Sequence, residues 1–193
     1  MTDVVTAARK ARIESEHERK RKVILDAARR VFERDGAKGL TMRAIAAEAG
    51  YAAGAVYFYF DSRAAIMAEL AVGELTQMTK DIKGMTARGA AERANSAAHA
   101  LAQAESLFQI DAKEAETAGS DRQITGKLIT LFQTVAEPLG LDGLEGQEAN
   151  KRALAFAAAV MGLAQMQRSG WLDKLGLSSE DTLQILADRL KSA

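Results

Sequence analysis

Apolar residues recur along this chain at spacings of three and four, and nowhere alternate over a strand-length run. The pattern therefore predicts helices throughout. A first helix starts at Arg21 and carries Ile24, Ala27, Ala28, Val31 and Phe32 on one face. It stops in the run DGAKG, where Gly36 suits a left-handed C-cap. Thr41 is an expected N-cap for a second helix with Met42, Ile45, Ala46 and Ala49 inward, broken at Gly50. A third short helix spans about 52–59. Asp61 and Ser62 cap a fourth, longer one bearing Ile66, Met67, Leu70 and Met78, which reaches a glycine-punctuated bend near 84–89.

The same period continues beyond the bend. A helix from about Ala90 carries Ala94, Ala98, Leu101, Ala104 and Phe108, breaks near Asp111 and ends by Gly119. Ser120 with Gln123 has capping-box spacing. The helix behind it places Ile124, Leu128, Leu131, Phe132 and Val135 on one stripe. Pro138 and three glycines then make a loop. The helix over 147–168 is apolar on two faces: Leu154, Ala157, Ala158 and Met161 on one, Phe156, Ala159, Val160 and Leu163 on the other. Such a helix must be covered on both sides, and in a chain this small a second subunit is one source of cover. Ser178 with Asp181 caps a final helix bearing Leu183, Leu186, Ala187 and Leu190.

Composition narrows the picture. The 193 residues include one Pro and no Cys, which excludes disulfides, thiolate metal sites and thiol catalysis. The N-terminus is charged and no apolar run approaches the ~20 residues that span a bilayer, so the expectation is a soluble cytoplasmic protein with no membrane partner. Two His, no metal-spaced cluster, no phosphate-cradling Gly loop and no nucleophile motif argue against an enzyme, and imply no cofactor or metal. Net charge is zero, yet residues 1–63 hold thirteen Lys/Arg against nine Asp/Glu, a surplus of four that the remainder cancels. A neutral chain can thus present a basic end to a polyanion. Residues 1–20, with Arg9, Lys10, Arg12, Arg19 and Lys20, read as a flexible or frayed helical arm, either an inert tail or a nucleic-acid-binding one.

Residues 40–60, LTMRAIAAEAGYAAGAVYFYF, put two short helices around a Gly-containing turn, the helix-turn-helix signature. An ordinary helical corner is the plainer reading. The residues go further. ILDAARRVFERDGAKGLTMRAIAAEAG, then Gly54, Val56, Tyr57, Tyr59-Phe60 and DSRAAI, resemble the tetracycline-repressor (TetR) family of bacterial transcription regulators over about Val23 to Leu70. The resemblance implies an all-α fold in which an N-terminal three-helix helix-turn-helix DNA-binding domain precedes a C-terminal helical bundle for effector binding and dimerisation. The corresponding division is a basic arm over 1–20, the DNA-binding domain over 21–66 and the ligand-binding and dimerisation domain over 67–193.

The resemblance also assigns roles. Val56 and Phe60 face inward. Thr41, Tyr57 and Arg63 grip phosphates, with Arg43 well placed beside them; Tyr59 is a further phosphate donor or a packing residue. Phe58 stands where the family often has His. The base-facing positions are Ala52, Ala53, Gly54 and Ala55, with Tyr51 also in reach of the groove. None of the four small residues offers a side-chain hydrogen bond to a base; Ala can touch a thymine methyl and Gly permits close backbone approach. Specificity is therefore expected from DNA shape and from the arm around Arg9–Arg12 entering a minor groove.

By the same resemblance the protein is a homodimer that binds a palindromic double-stranded DNA operator, most simply as a repressor, and is released by a small, mainly apolar effector of unknown identity. The dimer face is assigned to Leu154, Ala155, Ala158, Met161, Gly162, Gln165, Leu183, Leu186 and Leu190. The candidate effector pocket is His99, Phe108, Leu128, Phe132, Met161 and Trp171, each of which is equally readable as plain core. The competing reading is an all-α dimeric DNA-binding or interaction protein with no small-molecule effector.

Overall fold

The computed structural model describes residues 2–85, 89–104, 116, 119–140 and 146–192. Among them the protein is all-α, with no strand. They divide into two compact units, 2–70 with 116 and 119–121, and 71–85, 89–104, 122–140 and 146–192.

The first unit is built from α1 (Thr2–Gly39), α2 (Met42–Ala49), α3 (Ala53–Tyr57) and the first turns of α4 (Arg63–Gly84). Its core is the stripe Ile24, Ala28, Val31 and Phe32 of α1, closed by Leu40, Met42, Ile45, Ala46, Val56, Phe60, Ile66, Met67 and Leu70. Local chemistry sets the boundaries. Thr41 is extended and its Oγ1 accepts the Ala44 N–H at 3.1 Å, so α2 starts with a side-chain cap. Gly50 closes α2 in the left-handed region at φ 72°, sending its N–H back to the Ala46 and Ala47 carbonyls. Ser62 Oγ accepts the Ala65 N–H at 3.1 Å and opens α4.

Of the two forms expected of the arm, flexible or helical, residues 2–20 take the helical one: α1 begins at Thr2 and runs through Arg21 without a break. Charge-rich sequence is helical here because its charges pair one turn apart, Lys10 with Glu14 at 3.8 Å and Lys20 with Glu16 at 3.1 Å. Gly36 does break α1, but at φ 66°, ψ −173°, the extended positive-φ region rather than a left-handed cap; the chain then winds a further turn to Gly39.

The second unit holds the rest of α4, then α5 (Ala90–Gln103), α6 (Asp121–Ala136), a 3-10 turn (Glu137–Leu139), α7 (Gly146–Arg168), α8 (Trp171–Leu175) and α9 (Ser179–Ser192). Alanines of α5 let α7 and α9 pack closely on it, and Leu101, Leu131, Phe156, Val160 and Leu183 fill the centre. Each of these large side chains contributes about 1.5–3 kcal/mol by leaving water. Polar ties fix the periphery: Arg93 to Glu137 at 3.0 Å, Ser179 Oγ to Asn95 Oδ1 at 2.5 Å, and Arg152 Nη1 to the Leu190 carbonyl at 2.7 Å. Ser178 caps α9 through the Asp181 N–H at 3.3 Å. The expected break of α5 near Asp111, and Phe108, lie outside the described residues.

Candidate nucleic-acid interface

Arg9, Arg12, Arg19 and Arg29 of the first unit are exposed along α1, and two further groups of arginines differ in what they do. One group is spent on the fold. Arg30 and Arg34 of α1 reach Glu48 of α2 at 2.8 and 3.0 Å, and the two bonds hold the Glu48 carboxyl below the usual glutamate range. Arg21 holds the end of α3 and the start of α4. Its Nη1 donates to the Tyr59 carbonyl at 2.7 Å, its guanidinium pairs with Glu69, and its Cζ lies 4.1 Å from the centre of the Phe60 ring. The other group, Arg43 in the first turn of α2 and Arg63 opening α4, is exposed and makes no ion pair among the described residues.

The sequence-assigned contacts sit as follows. Thr41, Arg43, Ala52, Gly54, Tyr57 and Arg63 are exposed, and all belong to this one compact unit. Tyr57 is 54% exposed, so its hydroxyl is not spent inside the protein's core. Val56 and Phe60 are buried and anchor α3, as their spacing implies. Nothing lies within 4 Å of where a Cβ on Gly54 would stand, so the protein's own packing does not require glycine there. Ala53 and Ala55 are half-buried. Tyr51 and Tyr59 are half-buried and packed on the unit's core, which limits how far either ring reaches outward. Ala52 caps α3 with no side-chain bond, since it has no oxygen to offer.

Sequence reading missed His17. Its ring centre lies 4.8 Å from that of Tyr59 and 5.9 Å from that of Phe58, which is itself 75% exposed. No local signal marks the His17 contacts, because the partners are about forty residues apart in sequence. Residues 2–20, which carry Arg9 and Arg12, are helical.

The second unit separates residues that the sequence grouped as a pocket. His99 is exposed and bonds Gln103 at 2.8 Å, because Ala97, Ala98 and Leu101 take the inward positions of α5. Trp171 is exposed too, with the Lys174 ammonium 5.1 Å from its ring centre. Leu128, Phe132 and Met161 are half-buried against the unit's core. A polar cleft of about 350 Å³ is lined by Gly89, Ala90, Ala91, Glu92, Glu180, Gln184 and Ala187, none of them a predicted pocket residue.

The dimer assignment splits similarly. Leu154, Ala155, Ala158, Gly162 and Gln165 are exposed along one stripe of α7, Leu154 by 70%. Leu183, assigned to the same face, is instead fully buried in the core of this chain's second unit. Met161, Leu186 and Leu190 lean on that core, half-buried. The helical period identified the apolar stripe of α9 but not what covers it: α5 and α7 do. Ile129, Leu175, Leu177 and Ile185, which the sequence reading passed over, are further large apolar side chains left exposed. Among the described residues no cluster of His, Asp and Glu could hold a metal ion, and no helix is long and apolar enough to cross a membrane.

Comparison with known proteins bears on the fold and on the family of residues 24–70. Residues 24–70 match the family model described as bacterial regulatory proteins, tetR family. No curated protein matches the chain by sequence. Solved structures share the fold at low identity. A regulatory protein has TM-score 0.62 at 20% identity, with 93% of this chain and 98% of that one covered. A transcriptional regulator from Rhodococcus sp. Rha1 has 0.61 at 22%, covering 88% and 95%. The fatty acid degradation regulator FadR from Bacillus halodurans has 0.56 at 19%, covering 89% and 94%.

Proposed function

We propose that this chain, a TetR-family DNA-binding transcriptional regulator by its residues 24–70, acts as a homodimeric repressor. In this reading it binds a palindromic operator and is released by a small, mainly apolar effector. DNA binding is what the family supplies; the dimer, the repression and the effector are the added reading. The observation that carries it is that Thr41, Arg43, Tyr57 and Arg63 are all exposed in the compact unit the family model covers, and that neither arginine makes an ion pair among the described residues. Arg21, Arg30 and Arg34 of the same unit are consumed by internal pairs. Such contacts fix register on the phosphates and carry no sequence information directly.

The exposed α7 stripe supports dimerisation. Ala155, Ala158 and Gly162 permit close helix approach, and Leu154 has no cover within its protomer. Two heads held by such an interface engage half-sites about one helical turn apart, ~34–36 Å or a multiple. An effector that prefers one arrangement of the bundle then shifts the population away from that spacing. The neighbour that regulates fatty acid degradation is consistent with an apolar effector.

The test is anisotropy against DNA from the protein's own upstream region and a scrambled duplex, at several salt concentrations. Selective binding ~10³–10⁷ tighter than to the scramble supports the regulator, and its loss on adding a fatty acid or acyl thioester supports effector release. Binding that is equal on both duplexes and vanishes with salt is counterion release alone. In that case the interaction-protein reading takes over.

A further inference from the structure

Helix α3 is only five residues long and has no cap of its own at either end that a side chain supplies. Val56 carbonyl already accepts both the Tyr59 and the Phe60 N–H at 3.0 Å, so the turn leaving α3 is closed on its inner side. The carbonyl of Tyr59, three residues on, is taken by Arg21, which lies 38 residues earlier on α1. The same guanidinium pairs with Glu69 in the second turn of α4 and covers the face of Phe60. One half-buried side chain therefore touches the exit of α3, the ring that anchors it and the helix that follows. Arg21 and Glu69 are each only 27% exposed, so the pair works in a less screened setting than the exposed ion pairs of α1.

We propose that Arg21 is a positioning residue for DNA recognition: it sets the pose of α3, and so of Tyr57, relative to α4 and Arg63. Its planar five-donor fork suits this task. The guanidinium reaches a carbonyl and a carboxylate while stacking on an aromatic ring, and a lysine ammonium cannot reproduce all three contacts. If Glu69 moves along or around the α4 axis, Arg21 must either draw the Tyr59 carbonyl with it or give up one partner. Glu69 is thereby a second positioning residue, acting through Arg21 on the recognition helix.

The inference rests on the DNA-binding reading of this unit. If the wild-type protein selects no duplex from random-sequence DNA, that reading fails before Arg21 is at issue. Given a selected duplex, Arg21→Gln, Arg21→Lys and Glu69→Gln are compared with wild type by anisotropy over a salt series, with thermal midpoints alongside. Arg21→Gln is expected to weaken binding to the selected duplex by about tenfold or more, as for loss of a charge-assisted bond. Binding to a scrambled duplex, and the slope of log K against log salt, are expected to stay as in wild type. Glu69→Gln is expected to weaken selected-site binding in the same direction. If Arg21 were a phosphate ligand, its removal would lower the salt slope by about one contact, and Glu69→Gln would free it and tighten binding. Either result overturns the proposal. So does a loss of thermal midpoint with selected-site affinity of the folded protein unchanged. Should Arg21→Gln fail to fold, Arg21→Lys and Glu69→Gln decide on the same readouts.

Discussion

Thr41 can be made to separate the stability of the DNA-binding unit from its grip on DNA. Its Oγ1 accepts the Ala44 N–H at 3.1 Å and the residue is exposed. A hydroxyl has two lone pairs and one proton, so a capping bond leaves the proton free for a phosphate. Thr41→Ala removes both roles. The cap is worth about 1 kcal/mol, which for a chain of this size lowers the thermal midpoint by roughly 2–4 °C. The phosphate bond, made to a charged acceptor, is worth about 1.5–3 kcal/mol, or about 10–150-fold in affinity at each half-site. Thr41→Asp keeps the cap and adds negative charge at a helix N-terminus, which is favourable there. Against a phosphate ~4 Å away the same charge costs about 1 kcal/mol in bulk water and about 4 near a protein surface. The two variants should therefore invert. Asp melts at or above the wild-type temperature and binds DNA worst; Ala melts lowest and binds DNA in between. Circular dichroism melts and anisotropy on one duplex read both orders. If the Asp variant binds as well as the Ala variant, the hydroxyl does not face a phosphate and Thr41 is a cap only.

Four further outcomes follow from the packing and charges. Gly36→Ala forces a side chain into φ 66°, ψ −173° with open space around it, so the cost is backbone strain alone, about 1–3 kcal/mol in a urea titration; a neutral result would contradict the assigned conformation. Glu48 has its pKa lowered by the bonds from Arg30 and Arg34, so its contribution is present above the ordinary value of 4.5 and is lost as pH falls through the lower folded value. Glu48→Gln should accordingly lower the urea midpoint at pH 7 and narrow its gap to wild type on acidification below 4.5; a gap constant with pH refutes the pairing. In the second unit Phe156→Ala should cost about 3–5 kcal/mol, whereas Leu154→Lys should leave the melt of a monomer within ~0.5 kcal/mol but shift sedimentation from dimer to monomer; an unchanged sedimentation profile removes α7 from the interface.

What the sequence made legible was local. Thr41, Gly50, Ser62 and Ser178 each control a boundary through atoms within four residues, and all four boundaries were readable. Periodicity likewise gave the inward faces of α1, α2 and α9. It could not say which partner covers a face, so Leu183 was assigned to a second subunit although α5 and α7 bury it. His99 and Trp171 were grouped by residue type, and residue type says nothing about which side of a helix meets a cavity. Over residues 2–20 low apolar content left a flexible and a helical form both open, although the i,i+4 spacing of the charges that pair there was already in the sequence. Arg21 and His17 act across about forty residues, beyond any local pattern.

The bare outer face of α3 bears on how a genome would be searched. Ala52 and Gly54 present no side-chain hydrogen-bonding group, so a substitution beneath them sacrifices few side-chain bonds in the mutated site. Binding sites aligned from a genome-wide occupancy experiment should then show shallow letter preferences at the positions under α3, with a residual taste for thymine. The stronger regularities should be spacing between half-sites and runs of flexible or stiff steps. A consensus word would be a poor predictor of where this protein sits, and a measured profile of duplex bendability a better one.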